Sequence, residues 1–430
     1  MSTSSLNGKA AASRILLLTF DAFGTLFHPR IPVPELYVQV ACKYGLSQPV
    51  ITPQRLKSAF KETFLAQSKR YPNYGRADVL RGQYGGPKQW WQEVIEGSFA
   101  RTLAGTAADA QDGKFKLPDG MVDHLLELFA GKGGYAEYPE VLRFFEIIRW
   151  MTYEPLPSNS RFDRIILGVI SNSDDRVPAV LRALGINVAD MRADQDVSSK
   201  HLPGFEYRGG IEEPFPPEDA FTPPKEEPPP PQEEPGSEEP PHQPRQRREK
   251  SPLEYRAIQL MLIEQELKTN LKPQQPIGPP RGIELKHPGE IHLVITSYEA
   301  GEEKPNRSIF DVAKRQARLI MEKERDSILP QLKAAQRESE LPARFNPDGE
   351  WTCVHVGDDF EKDYCGARDA GWESYLLARE EGQKRGDDVK TISSLYGLLD
   401  LCFDRDHRPR ERETPKMRKW LDEAYVKAGK

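Results

Sequence analysis

The chain has 430 residues, enough for roughly two to three domains, with 37% hydrophobic residues, 38 prolines and a formal net charge of −6. So low an apolar content with so much proline predicts a folded core diluted by unstructured insertions, and the small net charge argues against a nucleic-acid surface spread over the whole chain. No apolar run approaches the roughly 18 residues of a membrane span, and four scattered cysteines (Cys42, Cys353, Cys365, Cys402), with no CxxC pair, suit free thiols in a reducing compartment such as cytoplasm or nucleus.

Residues 1–14 lack acidic side chains, which fits either a weak organelle-targeting segment or a frayed terminus. The first apolar run follows at 15–21 and ends on Asp21. Residues 30–160 are helical in pattern, over 33–44, 52–70, 87–103, 118–129 and 140–151, with Pro34 and Pro139 suited to helix starts. The aromatic clusters Tyr71-Pro72-Asn73-Tyr74 and Trp90-Trp91 fall inside this block. Such clusters more often pack a core, and a second reading turns some of them towards the cleft facing Asp21.

A second apolar run occupies 164–171. Residues 190–290 then break the rhythm: 14 of the 38 prolines fall between 203 and 244, interleaved with glutamates. That stretch cannot bury enough apolar area to order itself and favours polyproline II; a protein partner is the ligand such a segment could serve. The basic run 244–250 reads as a solvated charge run or an import or anion patch. Residues 251–271 read as one amphipathic helix. Further apolar runs at 291–297, 351–357 and 374–378 are separated by a charged helical extension within 322–350, and a charged tail closes the chain after 404. Buried runs alternating with helices predict βαβ units and a parallel sheet, so chemistry is expected in the loops at the carboxyl ends of the strands.

Each of those loops carries polar residues. After the first run come Asp21, Phe23, Gly24 and Thr25, a carboxylate poised as a nucleophile. After the second come Ser171 and Asn172, which suit either an oxyanion site or a helix cap. After the third comes Lys304-Pro305, a lysine able to neutralise a carboxylate and an incoming dianion. After the fourth come Gly357-Asp358-Asp359 and Asp363, a carboxylate bunch that is costly unless a cation offsets it. Oxygen ligands of this kind suit Mg²⁺, while Asp359 could equally cap a helix. His355, inside the strand, reads as a satisfied core histidine.

In that order, Asp21-Ala-Phe-Gly-Thr-Leu26, Ser171-Asn172, Lys304-Pro305 and Gly357-Asp358-Asp359 through Asp363 resemble the four motifs of the haloacid dehalogenase-like (HAD) hydrolase superfamily. The helical block resembles the superfamily's type-one cap. The Tyr-Pro-Asn-Tyr-Gly and Gln-Trp-Trp segments look like the subgroup named haloacid dehalogenase-like hydrolase domain-containing protein three and its fungal relatives. The resemblance covers about 15–185 and 290–400.

It implies an α/β fold: a doubly wound, Rossmann-like parallel sheet with an inserted helical cap and long disordered insertions. The expected divisions are a first core strand and motif in 1–29, the cap in 30–160, core in 161–189, the Pro/Glu-rich insertion in 190–290, core in 291–403 with the extension at 322–350, and a tail at 404–430. It also implies roles. Asp21 would attack phosphorus, Ser171 would hold a phosphoryl oxygen and Lys304 would balance charge. Mg²⁺ would sit on Asp21, the Phe23 carbonyl and Asp358. Asp359 and Asp363 would support these groups from behind, and Gly24, Thr25 and Asn172 would contact substrate.

The family's phosphatases carry a second Asp at the position of Phe23, where it protonates the leaving group. Phe can do neither half of that acid–base work, which is worth about 10²–10⁴ in rate. The resemblance therefore implies a weak or specialised Mg²⁺-dependent phosphoester hydrolase acting on a small phosphorylated or organic-acid substrate. The alternatives are a metal-independent 2-haloacid dehalogenase, whose halide leaves without an acid, and a catalytically silent binding or regulatory domain.

Overall fold

A strand covered on both faces has no polar side to show, so its sequence is continuously apolar. The computed structural model describes residues 13–46, 49–104, 116–152, 161–193, 291–334, 341–379 and 388–402, with single positions 202, 386, 419, 422, 423 and 426. Strand β1 (Arg14–Phe20) is buried at every position after Arg14. β4 (Arg164–Ser171) is buried at all eight. With β5 (Val188–Met191), β6 (Ile291–Thr296), β7 (Glu350–Gly357), β8 (Glu373–Leu377) and β9 (Thr391–Ile392) they form one seven-stranded sheet, ordered β5-β6-β4-β1-β7-β8-β9. Every pair is parallel.

Side chains alternate between two cores. Leu16, Leu18 and Phe20 enter one hydrophobic cluster with Leu167, Val169, Val354 and Val356. Ile15 and Leu17 enter the other with Ile166, Ile170 and Leu293. The second cluster is closed by a long helix, Arg307–Ala334, through Ile309, Phe310, Ala313, Ala317 and Met321. Each such fully buried large side chain contributes about 1.5–3 kcal/mol.

The five expected apolar runs are all strands, within a residue at either end. β5 and β9 were not anticipated. β5 has only one fully buried position and β9 is two residues long, so neither leaves an apolar run to read.

The helical segment departs and returns on a small two-stranded ladder. β2 (Phe27–Pro29) pairs antiparallel with β3 (Tyr135–Glu137), Phe27 facing Glu137 and Pro29 facing Tyr135. Between them lie α1 (Val33–Lys43), α2 (Pro53–Arg70), α3 (Pro72–Leu80), α4 (Pro87–Leu103) and α5 (Met121–Leu128). Proline stands in the first turn of each of the first four, where no backbone donor is lost. Thr52 caps α2 by accepting from the Arg55 N–H. α3 was not anticipated, because Asn73, Tyr74 and Gly75 take left-handed backbone angles inside it.

The next helix, α6 (Val141–Thr152), follows the ladder. Its Phe144 and Phe145 meet Phe20 edge-on at 5.8 and 5.6 Å. A boundary at 160 therefore includes a helix that packs on the sheet. The expected disorder and helix in 194–290 (202 excepted), the basic run 244–250, residues 1–12, the end of the charged extension at 335–340 and most of the tail lie outside the described residues. No described helix is long and apolar enough to cross a membrane.

Candidate active site

Four loops meet at the carboxyl ends of β1, β4, β6 and β7. Asp21 stays on the sheet ladder by donating its N–H to the Val356 carbonyl at 2.8 Å. Lys304 is 3% exposed. Its Nζ donates to Asp21 Oδ1 at 2.6 Å, to Asp363 Oδ1 at 2.6 Å and to the Ile170 carbonyl at 2.8 Å. An ammonium has three protons, and all three are used.

The Lys304 backbone is held as firmly. The Asn172 amide donates to the Lys304 carbonyl at 2.9 Å and accepts from the Lys304 N–H at 2.7 Å. Asn172, which the sequence assigned to substrate, spends both ends of its amide on the loop that carries the lysine. The Lys304–Pro305 peptide is cis.

The fourth loop is shaped by a π-helical turn over Phe360–Cys365, a wide turn frequent at functional sites. It brings Asp363 back to the strand tip, where Oδ2 accepts from the Asp359 N–H at 3.0 Å. Asp359 itself caps that turn, accepting from the Glu361 and Lys362 N–H groups at 3.0 and 2.9 Å. Of its two expected readings, capping is the one observed. Asp358 is fixed on its other side by the Thr25 hydroxyl, which donates to Oδ1 at 3.2 Å. Thr25, also assigned to substrate, thus holds a carboxylate.

Two glycines permit this crowding. Gly24 has φ +75°, and a Cβ there would collide with the Asp358 carboxylate. A Cβ on Gly357 would collide with the Asp363 side chain. A larger residue at Gly24 forces the first and fourth loops apart, and one at Gly357 pushes Asp363 off the strand tip.

One oxygen each of Asp21, Asp358 and Asp363 lies within 4.8 Å of the others. Three carboxylates thus share one ammonium. Burial pushes the Asp21 carboxyl up to about 7; Lys304 opposes this, and Asp363 and Asp358 add to it. Burial, then Asp363, raises Asp358 as well. Burial also acts on Asp363, but Lys304 and His355 outweigh it and hold that carboxyl well below the usual range. Burial works against the charge of Lys304, yet Asp21 and Asp363 keep it above its ordinary value. The site has room for more positive charge than the described side chains provide.

His355 is fully buried. Its Nδ1 lies 2.9 Å from the Thr19 hydroxyl and its Nε2 3.3 Å from Asp363 Oδ1. Burial lowers its pKa. A neutral ring donating from Nε2 to Asp363 and accepting from Thr19 satisfies both contacts. It is a satisfied core histidine, as read from the sequence, and it also buttresses Asp363. Ser171 ends β4, buried and paired in register with Thr296.

Beside this cluster, Phe23 is 40% exposed. It meets Phe27 and Tyr135 edge-on at 4.9 and 5.0 Å. It lines a cavity of about 180 Å³ with Tyr37, Trp91, Leu125 and Phe129 from the inserted helices and their loops. Trp91 Nε1 donates to Asp174 Oδ2 at 2.8 Å, and Asp174 pairs with Arg176 at 2.7 Å. Trp90 instead packs with Val79, Tyr84 and Val94. The aromatic segment thus divides between core and cleft. The Asp174–Arg176–Trp91 group was not anticipated, because its members join only when α4 folds over the loop after β4.

No family profile matches the chain. It is 31% identical over 202 residues to a Schizosaccharomyces pombe protein named as an uncharacterized hydrolase, C7D4.05, covering 47% of this chain and 69% of that one. It is 29% identical over 174 residues to the uncharacterized protein YMR130W of Saccharomyces cerevisiae, covering 40% and 47%. It is 30% identical over 176 residues to human haloacid dehalogenase-like hydrolase domain-containing protein 3, covering 40% and 58%. The chain thus spans from about half to about two thirds of these relatives' length. Among solved structures, a 2-haloacid dehalogenase from Pseudomonas syringae overlays at a TM-score of 0.36 and 14% identity, over 90% of this chain and 97% of that one. A HAD phosphatase from Thermococcus onnurineus overlays at 0.31 and 14%, with the same coverage.

Proposed function

This chain belongs to the haloacid dehalogenase-like hydrolase superfamily, and on that premise we propose that it is a Mg²⁺-dependent phosphoester hydrolase in which Asp21 is the nucleophile. The observation that carries the reading is the meeting of Asp21, Asp358, Asp363 and Lys304, from three separate loops, within hydrogen-bonding reach or a few ångströms of one another.

A divalent cation fits the donor set. Three carboxylates held against a single ammonium leave an excess of negative charge, and burial makes Asp21 and Asp358 costly to ionise unaided. Hard oxygen donors of this kind are those Mg²⁺ takes alongside substrate phosphate. Asp21, Asp358 and the Phe23 main-chain carbonyl would hold the ion. When bound, it supplies charge neutralisation at the phosphoryl oxygens.

The chain's own residues do the rest. Asp21 forms a bond to phosphorus while the ester P–O bond breaks, giving an aspartyl-phosphate that water then cleaves. Lys304 opposes the upward push of burial on Asp21 and balances the incoming dianion. Asn172 fixes Lys304 through its backbone, and His355 and Lys304 together hold Asp363. Ser171 offers its hydroxyl to a phosphoryl oxygen.

Phe23 favours a second reading, since halide displacement needs no proton donor. The carboxylate cluster weighs against it, because a metal-free site would leave those charges uncompensated. Hydrolysis of p-nitrophenyl phosphate with Mg²⁺ tests the choice. Activity should be abolished by a chelator and should fall at least about 10³-fold in Asp21→Asn. Halide release from 2-chloropropionate that ignores the chelator would favour the dehalogenase. If neither substrate reacts and Phe23→Asp creates phosphatase activity, the wild-type domain is catalytically silent.

A further inference from the structure

The cavity beside Phe23 carries information about the leaving group, and this inference rests on the phosphoester reading. Phe23 is two residues beyond Asp21, so the nucleophile's own loop supplies one wall of the cavity. Its other walls come from the inserted helices: Tyr37 of α1, Trp91 of α4, Leu125 of α5, then Phe129 and Tyr135. Among the described residues, Arg176 is its one charged wall. That guanidinium is met by Asp174, with Nε at 2.9 Å from Oδ1 and Nη2 at 2.7 Å from Oδ2, and lies over the Trp91 ring at 5.0 Å. A cation so paired does not call for an anionic ligand.

Size narrows the occupant. A dry apolar cavity of about 150 Å³ holds one benzene ring, and this one is about 180 Å³. A sugar or nucleoside would bury several hydroxyls against hydrocarbon, at a cost of about 1–3 kcal/mol for each left unpaired.

Chemistry narrows it independently. Among the described residues, the cavity wall includes no carboxylic acid. Burial pushes the Tyr37 and Tyr135 hydroxyls far above their ordinary range, making them poor acids. A leaving oxygen there departs as an anion. A phenol tolerates that, with its proton held at a pKa of about 10; an aliphatic alcohol does not.

We propose that the cavity is a leaving-group pocket and that the substrates are phosphate monoesters of single-ring phenols. As Asp21 bonds to phosphorus, the electron pair of the breaking P–O bond leaves with the phenolate, which takes a proton from water. A water molecule then attacks phosphorus, frees the Asp21 carboxylate and releases inorganic phosphate, its proton passing to solvent. Phe23 serves the ring as a wall, in the place where a proton donor would be needed for a poorer leaving group.

The test uses the full chain with Mg²⁺ and compares phenyl phosphate, glucose 6-phosphate and acetyl phosphate, the last a good leaving group without a ring. Leu125→Trp fills the cavity, and Leu126, which also lines it, gives the enlarging variant Leu126→Ala. The wild type should favour phenyl phosphate over glucose 6-phosphate by at least 100-fold in kcat/KM. Leu125→Trp should lower the phenyl-to-acetyl ratio at least tenfold and weaken binding of phenylphosphonate, read by calorimetry, to a similar degree. Leu126→Ala should shift preference towards 1-naphthyl phosphate. If acetyl phosphate turns over but both variants leave these ratios within twofold, or glucose 6-phosphate matches phenyl phosphate, the pocket assignment is overturned while the hydrolase reading stands. If no ester releases phosphate, both fall.

Discussion

His292 shows how a single residue couples stability to pH away from the candidate site. Its Nδ1 accepts the Leu167 N–H at 3.1 Å, joining β6 to β4 through a side chain. Burial, then the Arg164 guanidinium, lowers its pKa from an ordinary 6.5 to about 3. The folded state therefore binds fewer protons than the unfolded one between those values. Its contribution is fully present above pH 6.5 and is lost as the pH falls towards 3, at up to about 1.4 kcal/mol per pH unit. Denaturation midpoints of the wild type should fall over that window, and His292→Gln should flatten the slope; parallel slopes in both proteins would rule this out. At the same scale, the site was legible where residue type alone implies chemistry. Asp21 and Asp358 stand at strand tips, which can be read from apolar runs, and Lys304 follows in the loop beyond a third run. The protein partners of Asn172 and Thr25 were not legible, because an amide or hydroxyl declares that it will bond but not with what. Only the folded chain shows that their partners are the Lys304 backbone and Asp358.

Between elements, Arg379 is the joint that ties the loops together. It lies just past β8 and donates to the Thr25 carbonyl at 2.6 Å and the Gly24 carbonyl at 3.3 Å. It also pairs with Glu140 at 2.5 Å and sits 3.5 Å over the Tyr138 ring. One planar fork thus links the end of β8, the nucleophile's loop and the entry to α6, a task for which a point-charge ammonium lacks the geometry. Arg379→Lys should cost about 1–3 kcal/mol in urea unfolding, with a fall in turnover as Gly24 and Thr25 loosen; an unchanged urea midpoint would refute the clamp. No sequence pattern announced it. Isolated arginines are usually solvated, and this one acquires its partners from segments more than 200 residues away. The strands were legible because two-sided burial leaves an unbroken apolar signature. The three-residue β2 and β3 were not, because Pro29 and Glu137 resemble loop residues and only their pairing makes them strands.

At the level of the whole molecule, a sheet buried on both faces gathers its polar groups at the carboxyl ends of its strands, where Asp21, Asp358 and Asp363 crowd around the single ammonium of Lys304. A cation that binds only the folded chain stabilises it by mass action, by about 2.7 kcal/mol at a hundredfold excess over its dissociation constant. Mg²⁺ should therefore raise the thermal midpoint by several degrees, without any substrate present. The shift should shrink in Asp358→Asn, and a wild-type midpoint indifferent to millimolar Mg²⁺ would count against the proposed ion. The order of elements was legible at this scale too, because strand-and-loop alternation survives long interruptions.

The β2–β3 ladder sets the two ends of the 30–134 segment side by side, Pro29 opposite Tyr135. Whatever lies between those ends is spliced through one seam, so it can be lengthened, shortened or exchanged without redrawing the path of any sheet strand. On the proposed pocket assignment, a transplanted 30–134 segment from a relative would exchange the walls given by Tyr37, Trp91, Leu125 and Phe129 and leave Phe23, Arg176 and the host aspartate in place.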